Sequence, residues 1–131
     1  NLAVAKCAVA AGCKRLALVS AVAANAKSSV FYNRVKGELE GALKAMHLEA
    51  LVIAQPSLLM GDRKALNQPT RLGEELAGPI MKVLSPLIPG IYRPVRGKAV
   101  ARALVKSLSK AEGVLVLSSD RLSELGEGAG A

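Results

Sequence analysis

The chain has 131 residues, which is one domain's worth of protein with a modest core and no room for a second full domain. Hydrophobic residues make up 51% of it and aromatic residues only 2%, so Ala, Val, Leu and Ile must fill the core, as in parallel sheets covered by helices. The formal net charge of +8 comes from scattered Lys and Arg rather than a basic arm. Proteins that bind single-stranded nucleic acid stack the bases on aromatic side chains, which are nearly absent here. Nucleic-acid binding is therefore the weaker interpretation of this charge, and binding of an anionic small ligand the stronger.

Cysteine and histidine placement indicates neither a metal site nor a redox site. Cys7 and Cys13 lack the C-x-x-C spacing, so we expect buried free thiols in the reducing cytoplasm. His47, the single histidine, has no cysteine near it. Charged residues keep every apolar run below the ~18 residues of a membrane span, so no membrane partner is predicted.

The first half of the chain has the pattern of a helix followed by a β-α-β unit. Continuous apolar runs indicate strands buried on both faces, and a glycine after an Ala-rich segment indicates a helix end. Strands joined in this way are parallel and have a right-handed crossover. The predicted elements are a helix over residues 2–11 closed by Gly12, a strand over 16–19 ending at Ser20, a helix over 34–48, and a strand over 50–54 stopped by Gln55 and Pro56.

The second half is punctuated by Pro and Gly pairs, which indicate loops. One helix is predicted over residues 74–84, and a second one is marked by Val100, Leu104 and Leu108. A short strand over 114–117 follows. We expect one domain over residues 1–125 and a flexible tail over 126–131.

Tyr32 and Lys36 lie four residues apart and therefore share one helix face, which continues through Leu39 and Leu43. A lysine on an apolar stripe is costly to bury unless its charge is used. An ammonium beside a phenol favours the phenolate, which would suit Tyr32 to proton transfer. The alternative interpretation is a surface or capping pair.

Several polar groups are predicted to meet at one edge of the sheet. Ligands of open parallel sheets bind beyond the carboxyl ends of the strands. Ser20 ends one strand, Pro56 and Ser57 end the next, and Tyr32 opens the helix between them. Ser57 has no histidine beside it, which favours a structural role. Glu40 is expected on the solvated face of its helix.

Together these residues resemble the short-chain dehydrogenase/reductase superfamily, and more narrowly its atypical, epimerase-like NAD(P)-binding oxidoreductases. The resemblance covers about residues 1–125 and implies an α/β fold, the C-terminal part of a doubly wound parallel-sheet NAD(P)-binding Rossmann fold. It also implies roles for individual residues: Tyr32 as catalytic acid/base, Lys36 as the group that holds the cofactor ribose, Ser20 as the group that orients the reacting carbonyl, and Pro56, Ser57 and Leu58 against the nicotinamide.

The function implied is the catalytic portion of an NAD(P)-dependent oxidoreductase or epimerase-like enzyme. It would transfer hydride and a proton at a carbonyl or hydroxyl of a small-molecule substrate, with NAD or NADP bound by the complete protein. The alternative is a non-catalytic dinucleotide-sensing or protein-binding regulator on the same fold.

The sequence departs from that family in one major respect, the absence of a glycine-rich dinucleotide fingerprint. The phosphate-binding half is therefore expected outside this chain, and the strand at 16–20 is expected to have an unpaired edge. Such an edge predicts self-association or a complementing fragment. Two smaller departures are Ala21, where a second serine is common, and Gln55, where arginine is common.

Overall fold

A computed structural model describes residues 1–57, 59–60 and 89–128 of the chain. The predicted helix over 74–84 and the expected nicotinamide contact Leu58 lie outside these residues. The elements in chain order are helix α1 (Leu2–Ala10), strand β1 (Arg15–Val19), helix α2 (Phe31–Lys44), strands β2 (Ala50–Gln55) and β3 (Leu59–Met60), a 3-10 turn (Gly90–Tyr92), strand β4 (Val95–Arg96), helix α3 (Gly97–Leu108), strand β5 (Gly113–Ser118) and helix α4 (Ser119–Glu127).

Three of the strands form a parallel sheet in the order β1-β2-β5. In its register, Leu18 of β1 lies opposite Ile53 of β2, which in turn lies opposite Val116 of β5. Strands β3 and β4 form a separate parallel pair. The expected α/β class is thereby confirmed, since a parallel sheet packed with helices is compatible with a Rossmann-like fold.

The central strand β2 divides the core into two layers, because successive side chains of a strand point to opposite faces. Leu51 and Ile53 pack in a cluster with residues of α1 and α2. Val52 and Ala54 pack in a second cluster with residues of α3 and α4. All four side chains are at most 1% exposed, so β2 is buried on both faces as its apolar sequence predicts.

The two outer strands are each covered on one face only. In β1, Leu18 is 9% exposed and Val19 is 39% exposed; in β5, Leu117 is 3% exposed and Val116 is 43% exposed. The prediction that the first strand is buried on both faces is therefore wrong. Among the described residues β1 has only β2 as a neighbour, and an apolar strand is covered fully only between two neighbours.

Helix boundaries differ from the prediction where the usual signals are missing. Helix α2 begins at Phe31 rather than at residue 34. The preceding residue, Val30, is extended and makes no side-chain cap, so the sequence carries no capping signal for this start. It ends at Lys44, four residues before the predicted end. Gly113 opens β5 with a φ of +66°.

Two further expectations differ from the structure. Helix α4 is absent from the predicted elements, although it carries Asp120 in its first turn and buried Leu122. Cys7 is exposed on α1 rather than buried, and Cys13 is half-buried.

Candidate functional site

Lys36 lies at the carboxyl end of β1. Its ammonium Nζ donates to the carbonyl oxygen of Val19 at 3.2 Å. The next residue, Ser20, donates its backbone N–H to the carbonyl oxygen of Ala54 on β2 at 2.7 Å. The predicted lysine and serine therefore both lie at the carboxyl end of β1, the lysine held there by its side chain and the serine by its backbone.

The hydroxyl of Ser20 is the unusual group at this edge. The residue is only 4% exposed, and its Oγ has no hydrogen-bond partner among the described residues. A buried hydroxyl without a partner costs about 1–3 kcal/mol. Such a group is suited to form a hydrogen bond with a bound polar ligand.

Tyr32 lies one turn before Lys36 and is 58% exposed. The Lys36 Nζ lies 5.7 Å from the centre of the Tyr32 ring, within the range of a cation–π contact. The pair is thus on one helix face, as the spacing predicts, with its phenol ring open to solvent.

A close backbone approach fixes α2 against the loop that follows β1. A Cβ atom built on Gly37 would lie 2.2 Å from the backbone nitrogen of Ala26, so only glycine fits there. The backbone N–H of Asn25 donates to the Asn33 carbonyl oxygen at 2.9 Å. This packing sets the position of the helix turn that carries Lys36.

Glu40 extends the same face by one more turn, and its expected exposure is wrong. It is 5% exposed and accepts two contacts from Gln55 Nε2, at 2.9 and 3.1 Å. Lys44 Nζ lies 3.8 Å from its carboxylate. The spacing of four from Lys36 was a usable signal, because it places Glu40 on the helix face that meets the sheet.

The end of β2 is held by backbone and hydroxyl contacts. Pro56 is buried, and its carbonyl oxygen accepts the N–H of Val22 at 3.2 Å. The Ser57 hydroxyl donates to the Arg93 carbonyl oxygen at 2.8 Å, while its N–H donates to Ser119 Oγ at 2.8 Å. These contacts give Ser57 a structural place that ties the end of β2 to the start of α4.

One titratable group near this end of the sheet has a shifted pKa. A hydrogen bond from the Ser118 hydroxyl holds the pKa of Asp120 below its usual value, although the carboxylate is open to solvent. In the described ranges, no three His, Cys, Asp or Glu side chains are grouped to hold a metal ion. The helices of those ranges are also too short or too polar to cross a membrane.

Comparison with known proteins gives no matching family model but several similar curated proteins. The chain is 38% identical over 111 residues to "Protein fmp52, mitochondrial" of Emericella nidulans, covering 83% of the chain and 48% of that protein. It is 35% identical over 127 residues to the protein of the same name in Aspergillus fumigatus, covering 96% and 53%. With "Protein FMP52, mitochondrial" of Lodderomyces elongisporus it shares 32% identity over 136 residues, covering 95% and 54%.

These comparisons correct three expectations. The assignment to the short-chain dehydrogenase/reductase superfamily is wrong, because no family model supports it and the similar proteins are named FMP52. The implied function, a catalytic Ser/Tyr/Lys oxidoreductase portion, is wrong on the same ground, since those names state no such reaction, and they do not support the regulator alternative either. The cytoplasmic location is wrong because the relatives are named mitochondrial. The chain spans about half the length of the curated relatives that it matches, and its similarity is to that part of the FMP52 proteins.

Proposed function

We propose that the carboxyl end of β1 forms part of a binding site for a nicotinamide dinucleotide, NAD or NADP, in a mitochondrial protein. The observation that carries the proposal is the Lys36 ammonium bonded to the Val19 carbonyl at the carboxyl end of β1, directly before Ser20, whose buried hydroxyl has no hydrogen-bond partner among the described residues. Parallel sheets bind ligands at this edge. The mitochondrial location comes from the names of the relatives.

The chemistry of these groups fits one portion of the dinucleotide. An ammonium donates to ribose hydroxyls, and a serine hydroxyl both donates and accepts. Exposed Tyr32 offers a flat ring beside Lys36. We assign the ribose and the nicotinamide to this chain, because no glycine-rich turn that could hold the pyrophosphate occurs in its sequence.

The test is calorimetric titration of the complete protein that contains this chain with NADH and NADPH. The variant Lys36→Met removes the ammonium and keeps a flexible apolar side chain of similar length. A hydrogen bond from a charged donor contributes about 1.5–3 kcal/mol, so the affinity should fall by roughly 10-fold to 100-fold.

The matched control is Lys106→Met, which removes an exposed lysine from α3 and changes the net charge equally. It should leave the affinity unchanged. Equal losses in the two variants would show that binding depends on overall charge rather than on this site. No binding of either dinucleotide by the unaltered complete protein would overturn the proposal.

The expectation that the protein is an NAD(P)-dependent oxidoreductase goes beyond this proposal, which concerns dinucleotide binding alone. The two are separable by one added measurement, the nicotinamide absorbance in the presence of candidate substrates. Dinucleotide binding without any change in absorbance fulfils the proposal as stated.

A further inference from the structure

We propose that the outer face of α3 is a docking surface for an acidic, amphipathic helix of a partner protein. The surface has two parts. One is a basic ridge, defined as Lys98, Arg102 and Lys106, and the other is the shallow groove between α3 and Leu125 of α4. The proposal concerns a protein partner and is separate from the dinucleotide site at the end of β1.

The basic ridge is a row of like charges on one helix. Its members are exposed and spaced four residues apart, so they follow one another along one face of α3. At 1.5 Å of rise per residue, the row is about 12 Å long. Like charges at this spacing destabilise a helix, and α3 contains no acidic residue to offset them. In the part of the chain that the structure describes, no carboxylate forms an ion pair with any member of the ridge.

The position of Lys98 makes the ridge less favourable still. The N-terminus of a helix is the positive end of its dipole, where carboxylates are stabilising and cations are not. Lys98 is the second residue of α3, the first turn has no acidic residue, and the N-cap residue is the exposed Arg96. A carboxylate docked beside Lys98 would meet both a cation and the positive helix end. The ridge is therefore unfavourable by itself and complementary to an anionic partner.

An apolar groove lies directly beside these charges. Its volume is about 440 Å³, and it is lined by Ala101, Val105 and Leu125 together with Arg102 and Lys106. Val105 is 74% exposed, although a β-branched residue gains little from a solvated position inside a helix. An amphipathic helix presents apolar and charged side chains three and four residues apart. Such a helix could fill the groove and place its carboxylates against the ridge at the same time.

Other occupants fit this surface less well. Single-stranded nucleic acid is bound by stacking on aromatic side chains, and none of the described residues that line the groove is aromatic. Helices that lie in a membrane surface insert bulky residues such as Trp, Phe and Leu, whereas the exposed apolar residues of α3 are Ala101 and Val105. A second copy of this chain would have to offer its own acidic helix face, and Glu124 of α4 is already paired with Arg121.

The experiment measures the binding of a synthetic probe to the complete protein that contains this chain. The probe is a fluorescent, cross-linked helical peptide with glutamates spaced four residues apart and leucines beside them. A scrambled peptide of the same composition, with its glutamates spread around the helix, is the comparison. Fluorescence anisotropy at low salt should show tighter binding of the ordered peptide, and the affinity should fall as salt is added.

Two pairs of variants assign the binding to this surface. The double variant Arg102→Gln with Lys106→Gln should weaken it by roughly 3-fold to 30-fold, since each exposed ion pair contributes a small factor. Lys6→Gln with Lys27→Gln removes the same charge from exposed positions on other elements and should have no effect.

The apolar groove has its own matched pair. Val105→Ser should weaken binding of the ordered peptide, because it removes an apolar contact from the groove. Val4→Ser, at a valine of α1 with 72% exposure, should not. Because both valines are exposed on helices, neither variant removes a core residue.

Three results would overturn the proposal: no binding of the ordered peptide, equal affinity for the scrambled peptide, or equal losses in the variants and their controls. Tighter binding of phosphatidylcholine–phosphatidylserine vesicles or of polyuridylate RNA, lost in the Arg102 and Lys106 double variant, would also overturn it in favour of a membrane or an RNA. Because no dinucleotide is present, the result is independent of whether the proposed ligand binds.

Discussion

Gly37 and Gly41 occupy the same face of α2 one turn apart, and replacing each by alanine should change stability in opposite directions. At Gly41 a new Cβ meets nothing within 4 Å. At Gly37 it meets the Ala26 nitrogen at 2.2 Å and the Asn25 carbonyl carbon at 2.3 Å. Both partners at Gly37 are backbone atoms, so the clash is relieved only by moving the loop or the helix.

The magnitudes follow from the local contacts. Alanine is favoured over glycine in a helix interior by about 1 kcal/mol, and Gly41→Ala should stabilise by that amount. Gly37→Ala gains the same helix propensity but suffers overpacking that costs about 1–3 kcal/mol or more. Moving the loop also breaks the hydrogen bond from Asn25 to Asn33, worth about 1 kcal/mol. The net result for Gly37→Ala is a loss of about 1–3 kcal/mol.

Urea unfolding of the complete protein measures both variants against the unaltered protein. The midpoint should rise for Gly41→Ala and fall for Gly37→Ala, with an unchanged slope in each case. Equal or higher stability of Gly37→Ala would refute the packing of the loop on α2. It would also remove the structural reason for the position of Lys36.

Two further predictions concern the opposite end of the sheet and the start of α4. Arg15 donates three side-chain hydrogen bonds, at 2.6–3.1 Å, to two carbonyl oxygens at and beyond the end of α3, so Arg15→Met should cost about 1.5–3 kcal/mol in the free energy of unfolding. Exposed Arg102→Met is the control and should stay within about 0.5 kcal/mol; equal losses would contradict the capping role. Because the folded pKa of Asp120 is lowered, its contribution is present above the usual pKa of about 3.9 and is lost as the pH falls through the lowered value. Ser118→Ala should raise that pKa toward 3.9 in a carbon NMR titration, and an unchanged titration would contradict the assigned cause.

The central part of the fold could be predicted from local sequence. The run from Ala50 to Ala54 is apolar throughout, and it forms most of the strand that is buried on both faces. The same reasoning failed for β1, because the coverage of a strand depends on a neighbour that the local sequence does not contain. Helix α4 was missed because its nine residues show only a few apolar positions, and the start of α2 was missed because Val30 gives no capping signal.

For the candidate site, the sequence could predict which residues share a helix face but not which atoms they contact. The spacing of Tyr32 and Lys36 places them on one helix face, and the structure has them there. The acceptor of Lys36, the Val19 carbonyl, could not be predicted because it depends on how α2 lies across the strand. The burial of Glu40 had the same cause, since its partner Gln55 comes from a different element. The catalytic roles implied for Tyr32, Lys36 and Ser20 stay predictions.

The most direct test of the account is an NMR titration of the complete protein with NADPH, followed at the backbone amides. The account predicts the largest shift changes at Ser20, Tyr32 and Lys36, where β1 ends and α2 begins. Shift changes concentrated instead on exposed Arg102 and Lys106 of α3, with none at the end of β1, would contradict it and would show binding by the basic surface alone.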